Sequence, residues 1–165
     1  MTVTTQKSTE YAARVDSGTV QYPTEYGGEF RSQLFTHDQS GAGEATSSVI
    51  IGYLPPGRVR LMLANSWAYV NWTTASATLD LGWDAYTGLD GVAVLADPDG
   101  LVDGMDVDTV GIRQFSTSAA AGPKAAGYTK LFESKDGVII RATSQDTAIA
   151  SGDDLVGALV YVMAD

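Results

Sequence analysis

The sequence predicts an all-β fold: a jelly-roll-like sandwich of two sheets with about eight strands, preceded by an extended N-terminal arm. Short runs rich in Val, Ile, Leu, Thr and aromatic residues recur along the chain, and glycines (18 of 165 residues) and Asp-Gly pairs punctuate them. No window shows a sustained 3.6-residue apolar period with helix caps, which argues against a helical domain. An immunoglobulin-like sandwich is the alternative topology.

Composition divides the chain into two parts. Residues 1–28 are polar and irregular and predict the extended arm, whereas residues 29–165 predict the sandwich domain. The arm lacks the apolar core of a signal peptide. The closing apolar run has nine residues, Leu155 to Met163, and a helix needs ~20 to span a bilayer. We therefore expect a soluble protein folded in a reducing cytoplasm.

The predicted strands follow one another in chain order as EFRSQLFT, SSVIIGYL, RVRLML, ATLDLGW, TVGIRQF, YTKLFES, VIIRAT and LVGALVYVM. Between the second and third, Pro55-Pro56-Gly57 must turn, because Pro lacks the ladder donor and Gly tolerates positive φ. Asp136-Gly137 predicts a tight hairpin between the sixth and seventh. Residues 84–108 predict a long loop, and residues 116–127 a surface loop of small residues.

Alternation within ATLDLGW predicts which side chains face the core. The inward set is Ala77, Leu79, Leu81 and Trp83, and the outward set is Thr78 and Asp80. A period of two is typical of a half-buried strand.

The last strand is apolar on both faces. Leu155, Gly157, Leu159, Tyr161 and Met163 share one face, and Val156, Ala158, Val160 and Val162 share the other. One face fills the core, and the second also needs a cover because large exposed apolar patches are rare on monomers. Either the arm or the 84–108 loop lies across it, or Val156, Ala158, Val160 and Val162 form a symmetric subunit interface.

Charge and cysteine content exclude several classes of function. Ten Lys and Arg residues stand against 20 Asp and Glu residues, for a formal net charge of −10. Such a surface repels phosphate backbones and anionic lipid, so we expect no nucleic-acid and no membrane partner. The chain has no cysteine, which rules out disulfides, thiolate catalysis and Cys-based zinc sites.

Catalytic motifs are missing from the sequence. The single histidine, His37, precedes an aspartate, but a metal centre would need further His ligands; we interpret it as a solvent-facing residue at a strand end. There is no G-x-S-x-G elbow, phosphate loop, G-x-G-x-x-G or H-E-x-x-H. We predict no catalytic residue, no cofactor and no enzymatic activity.

An acidic stretch and an aromatic set offer two binding hypotheses. Eight Asp and no Lys or Arg occur from Asp80 to Asp108, yet the spacing does not fit an EF-hand, since Gly100 stands at position four and no Glu closes the loop. We expect solvated turns there, with calcium as the alternative. The second hypothesis is a sugar-stacking platform built from Trp67, Tyr69, Trp72, Trp83 and Tyr86. Its alternative is that these aromatic residues fill the core or anchor an interface.

Three regions carry a family resemblance: LDLGWDAYTGLDGVAV running into DPDGLVDGMDVDTVG, then FESKDGVIIRATSQDTAIASGDD, and finally LVGALVYVMAD. Their arrangement resembles the jelly-roll capsid decoration (cement) proteins and related small virion structural proteins of tailed bacteriophages. The resemblance implies a homotrimer made in the host cytoplasm and carried on the outer capsid surface. There it would bind the major capsid protein and bridge capsomers. The alternative is a carbohydrate- or receptor-binding module of a phage fibre or bacterial surface assembly.

Overall fold

A computed structural model of the chain describes residues 29–72, 74–116, 128–145 and 147–164. Within these ranges the protein has strands and turns but no α-helix. The strands are β1 (Phe30–Asp38), β2 (Ser48–Leu54), β3 (Gly57–Met62), β4 (Trp67–Asn71), β5 (Thr78–Trp83), β6 (Tyr86–Thr87), β7 (Ala93–Val94), β8 (Asp97–Asp106), β9 (Gly111–Gln114), β10 (Thr129–Ser134), β11 (Val138–Ser144) and β12 (Asp154–Ala164).

Two antiparallel sheets form the sandwich. In the first, β12 pairs with β1 on one side and with β3 and then β4 on the other, while β10 pairs with β3 and β9 with β4. The second has the order β2-β11-β5-β8, and β6 and β7 form a separate ribbon. If β3 with β4 and β9 with β10 each count as one strand, the sheets read 1-8-3-6 and 2-7-4-5. That is the double Greek key of a jelly roll, which confirms the predicted fold class.

The core lies between the inner faces of the two sheets. From the second sheet it contains Leu79, Leu81 and Trp83, which are buried as predicted. From the first sheet β12 contributes Leu155 and Leu159, and the Leu159 side chain packs directly against the backbone of Gly52 on β2. The face of β12 that carries the leucines is therefore the inner face.

A side-chain hydrogen bond joins the two sheets along one edge. The Tyr53 N–H, on the edge strand β2, donates to Oε1 of Gln33 on β1 at 3.0 Å. Gln33 therefore satisfies a backbone donor that an edge strand would otherwise leave open.

The loop predicted for residues 84–108 is wrong. The structure has β6, β7 and the ten-residue strand β8 there, and β8 pairs with β5. Pro98, Gly100 and Gly104 suppress the strand pattern in the sequence, because Pro and Gly are typical of turns. Two register shifts between β5 and β8 also interrupt the alternation. The strand β4 was likewise missing from the predicted set.

The predicted hairpin at Asp136-Gly137 is also wrong. β10 belongs to the first sheet and β11 to the second, so this turn carries the chain from one sheet to the other. It is nevertheless tight: Gly137 has φ +88°, and the Ser134 hydroxyl donates to the Gly137 carbonyl at 2.8 Å. Local turn chemistry fixes the change of direction but not the strand that each flank will pair with.

Asp80 corrects the predicted outward set, because it is buried, with 3% of its surface exposed. Its carboxylate accepts hydrogen bonds from the Gly104 N–H at 2.8 Å and from the Gln145 side chain. These hydrogen bonds satisfy the carboxylate, so Asp80 can be buried although alternation predicts that it faces solvent. The predicted arm (1–28) and most of the predicted surface loop (117–127) lie outside the described residues.

Candidate subunit interface

The outer face of the first sheet carries a mostly apolar surface, in whose rows Ser32, Thr36, Gln114 and Arg60 also lie. Strand register aligns its side chains in cross-strand rows, of which one is Leu34, Ala158 and Trp67 and the next is Thr36, Val156, Tyr69 and Ile112. We call this surface the apolar band. It comprises Phe30, Leu34, Trp67, Tyr69, Ile112, Val156, Ala158, Val160 and Val162.

Four members of the apolar band are well exposed in the single chain. The exposed fraction is 77% for Leu34, 66% for Ile112, 61% for Phe30 and 37% for Tyr69. Large apolar side chains collected on one face of a sheet mark a surface that contacts another protein more often than one that faces water.

The four residues predicted as an interface lie along β12 in the middle of the band. Ala158 and Val162 are already buried within the chain, at 5% and 2% exposure, whereas Val156 and Val160 are half-buried. Ala158 sits between the larger Leu34 and Trp67 of the flanking strands. The centre of the band is therefore a shallow trough, and its accessible apolar surface comes mostly from residues of β1, β4 and β9. Contact of Val156, Ala158, Val160 and Val162 with another subunit stays a prediction.

Polar groups border the band at both ends. At one end Asp38 is paired in register with Asp154, which faces Asn71 on the opposite side. At the other end Arg58 forms an ion pair with Glu133, with 2.8 Å between Nε and Oε1. An apolar centre with a polar rim is the usual anatomy of a protein–protein interface.

His37 is less exposed than the solvent-facing position predicted for it. It is half-buried on β1, and its Nε2 lies 3.0 Å from Oε1 of Gln39. Across the described ranges, no three His, Asp or Glu side chains converge to hold a metal ion. Nor does that part of the chain contain an apolar helix of membrane-spanning length.

Two aspartates of the acidic stretch, Asp106 and Asp108, accept hydrogen bonds within turns. Asp106 accepts a hydrogen bond from the Asp108 N–H at 3.0 Å, and Asp108 accepts from the Thr109 hydroxyl at 2.9 Å and the Ser76 N–H at 3.3 Å. These contacts lower the pKa of Asp108 below its ordinary value. Both residues therefore serve as turn formers.

A hollow of about 600 Å³ lies at the β5–β8 edge of the second sheet. Its lining is Thr78, Asp80, Pro98, Asp99, Asp103, Gly104 and Gln145. Burial raises the pKa of Asp80 above its ordinary value, although its hydrogen bonds to Gly104 and Gln145 oppose the rise. The Asp80 carboxylate therefore ties β5 to the Gly104 backbone of β8 and to the Gln145 side chain.

The proposed sugar-binding platform does not form from the three tryptophans. Trp72 and Trp83 are buried, and Trp83 packs edge-on against Phe132 with ring centroids 5.5 Å apart. Trp67 is half-buried and belongs to the apolar band. Two of the three indoles therefore fill the core and leave no row of exposed rings for sugar stacking.

Comparison with solved structures finds a similar fold in a chain of a phage capsid. A chain in the capsid of Ralstonia phage GP4 has a TM-score of 0.59 and 17% sequence identity, and the match covers 84% of this chain and 86% of that chain. A chain in the capsid asymmetric unit of cyanophage Pam1 has 18% identity and a TM-score of 0.47, with 84% and 87% covered. A chain of the infectious bursal disease virus Gt strain has 8% identity and a TM-score of 0.46, with 82% and 33% covered.

No protein-family model and no curated protein matches the sequence. The likeness to the Ralstonia phage GP4 chain extends over most of both chains. This protein is thus a jelly roll with the fold of a chain in that phage capsid.

Proposed function

We propose that this protein is a structural component of a bacteriophage virion, without enzymatic activity. In this role it is a capsid decoration (cement) protein that binds the outer capsid surface as a homotrimer, contacts the major capsid protein and bridges capsomers. The observation that carries the proposal is the apolar band on a chain whose formal net charge is −10. The jelly roll, similar to a chain in the Ralstonia phage GP4 capsid, supports the virion setting.

Self-association of so acidic a chain requires apolar contact. Copies that each carry −10 repel one another, so the attraction between them must come from apolar area removed from water. The apolar band supplies such an area on the rigid face of a sheet. Three copies joined through it would present three equivalent contacts to a shell, and linked contacts can exceed the affinity of one by about 10²–10⁴.

The direct test is the mass of the protein in solution. Three copies of the 17.3 kDa chain are expected for the wild type at micromolar concentration. The variant Leu34→Lys should be monomeric, because it places a charge in the band at a side chain that is 77% exposed, where the monomer tolerates it.

The matched control is Ile50→Lys, since Ile50 is 56% exposed on β2 of the other sheet. It should keep the trimer mass, and unchanged circular dichroism spectra of both variants would show that the monomer fold is intact. A monomeric wild type, or equal masses for wild type and Leu34→Lys, would refute the trimer interface.

A further inference from the structure

An exposed apolar projection lies beyond the Arg58–Glu133 rim of the apolar band, beside the end of β10. It comprises residues 85–96, which include the β6–β7 ribbon, and we call it the prong. Its exposed large side chains are Leu89 at 43%, Val92 at 62% and Leu95 at 80%. Three accessible aliphatic side chains within one short ribbon are costly in water unless a partner covers them.

The tip of the prong is held by its own hydrogen bonds. The Gly88 N–H donates to the Val92 carbonyl at 2.8 Å, and the Gly91 N–H donates to the Gly88 carbonyl at 2.9 Å. Asp90 Oδ1 accepts from the Val92 N–H at 2.9 Å, and Gly91 adopts φ +85°. The turn is therefore closed by side-chain and backbone contacts together.

Both legs of the prong are fixed to the body of the sandwich. On the outgoing leg the Tyr86 ring packs against Phe132, with centroids 6.0 Å apart, and the Lys135 N–H donates to the Thr87 carbonyl at 2.9 Å. On the return leg the Trp83 indole N–H donates to the Leu95 carbonyl at 3.2 Å. The exposed leucines are thus preorganised, which lowers the entropy cost of binding.

The surroundings of the prong are acidic. Residues 84–108 contain seven Asp and no Lys or Arg. A hollow of about 320 Å³ beside the prong is lined by Tyr86, Leu89, Leu131 and the carboxylates of Asp90 and Glu133, among others. The Lys135 ammonium approaches the turn at Gly91 and Arg58 pairs with Glu133, so the negative charge of this region comes mainly from its aspartates.

We propose that the prong is the element that docks on the capsid shell. Its partner is a protein surface with an apolar socket for Leu89, Val92 and Leu95, rimmed by Lys or Arg, one of which enters the hollow beside Asp90. Charge complementarity selects this occupant over a second copy, because a second copy is itself acidic. The inference rests on the proposed function and assigns the shell contact to a surface separate from the trimer contact.

The test measures binding to capsids of the phage whose genome encodes this chain, assembled without it. The prong variant Leu89→Gln, Val92→Thr, Leu95→Gln keeps side-chain size but removes apolar surface. We expect its apparent affinity for these capsids to fall about 100-fold, while its mass in solution stays that of the wild type. Ile50→Thr, an equally exposed site on β2, is the matched control and should bind like the wild type.

A second variant tests the charge. Asp90→Asn keeps an oxygen that accepts the Val92 N–H and removes only the carboxylate charge. We expect a loss of roughly five-fold in capsid affinity at low salt that disappears at high salt, since screened charges contribute little.

Each remaining outcome overturns the inference. Equal binding by the prong variant and the wild type would show that the prong is not the shell contact. Loss of the trimer mass in the prong variant would show that a second copy occupies it. If the wild-type protein does not bind the capsids at all, the proposed function fails and the prong inference fails with it. If the wild type and the prong variant both bind normally, only the prong inference fails and the proposed function stands.

Discussion

The Asp84 carboxylate and the Arg141 guanidinium form a two-point contact just beyond the end of β5. Arg141 Nε donates to Asp84 Oδ1 at 2.7 Å and Nη2 donates to Oδ2 at 2.6 Å, while Nη1 donates to the Ser48 hydroxyl at 2.9 Å. One side chain on β11 therefore ties Ser48 of β2 to the residue that follows β5. The Arg141 contact holds the pKa of Asp84 below its ordinary value.

The variant Asp84→Asn should lower the free energy of unfolding by about 1 kcal/mol at pH 7, because it removes the charge from a half-buried bidentate pair. A lowered folded-state pKa means that the pair stabilises the protein above the pKa of an unfolded-chain Asp, ~3.9, and that this contribution is lost as pH falls through the folded-state pKa. Denaturant titrations from neutral pH to about pH 2 should show the difference between variant and wild type shrinking to zero.

Ser48→Ala provides the control for this pH series. It removes a hydrogen bond from the same guanidinium without removing a titrating group, so its deficit should not vary with pH in this window. A deficit of Asp84→Asn that stays constant from neutral to acid pH would contradict the assignment.

The stability contributed by Asp80 depends on pH in the opposite direction to that contributed by Asp84. Asp80 also illustrates a contact that the local sequence pattern does not reveal. Burial raises its folded-state pKa, so its contribution to stability is greatest below the unfolded-state pKa and declines as pH rises through the folded-state pKa. The sequence predicted an outward residue because only alternation was visible. Its partners Gly104 and Gln145 are 24 and 65 residues away, and no local pattern reveals contacts at such separations.

At the scale of elements, strands with regular alternation were predictable and irregular ones were not. RVRLML and ATLDLGW contain clean apolar periods and correspond to β3 and β5. The region of β8 shows no such period, because Pro, Gly and Asp fill it and its pairing with β5 is interrupted. Alternation reports one strand at a time, whereas the sheet that β10 or β11 joins depends on long-range packing.

The sequence predicted only the part of the apolar band that lies on β12. The last strand clearly lacked a polar face, which drew attention to Val156, Ala158, Val160 and Val162. The more exposed members, Leu34 and Ile112, lie in distant segments whose common face is set by sheet order. The sequence could therefore indicate that a cover was needed but not which neighbours would widen the surface.

Gly157 controls how β12 packs in the first sheet. A Cβ at this position would overlap the Trp67 carbonyl oxygen, the Ala68 Cα and the ring of Phe35, its partner in register on β1. Gly157→Ala should therefore reduce the free energy of unfolding by about 2–3 kcal/mol, a drop of roughly 5–10 °C in melting temperature. Calorimetry would measure both.

Gly43→Ala is the matched control for Gly157→Ala. At Gly43 the Ser47 hydroxyl and the Gln39 amide can rotate away, and the Ser47 Cβ at 3.2 Å needs only a small shift, so the expected cost is below about 1 kcal/mol. Equal melting temperatures for Gly157→Ala and wild type would show that β12 does not depend on this close approach.

For the whole molecule, net charge and apolar surface act in opposite directions on assembly. With a formal net charge of −10 per chain, salt should strengthen self-association by screening repulsion between copies. We expect the trimer dissociation constant to decrease by about ten-fold between roughly 0.05 and 0.5 M NaCl, as measured by sedimentation equilibrium. Association that weakens with salt would show that ion pairs, and not the apolar band, hold the copies together.

The pairing of Phe30 with Val162 brings the first and last described strands side by side, at the pole of the sandwich where the prong is tied to the end of β10. A peptide inserted directly before β1 or after β12 would emerge next to the docking element and hinder it. A cargo for display belongs instead at the opposite pole, and the exposed turn at Gly41-Ala42, beyond the end of β1, offers a place to insert one pointing away from the particle.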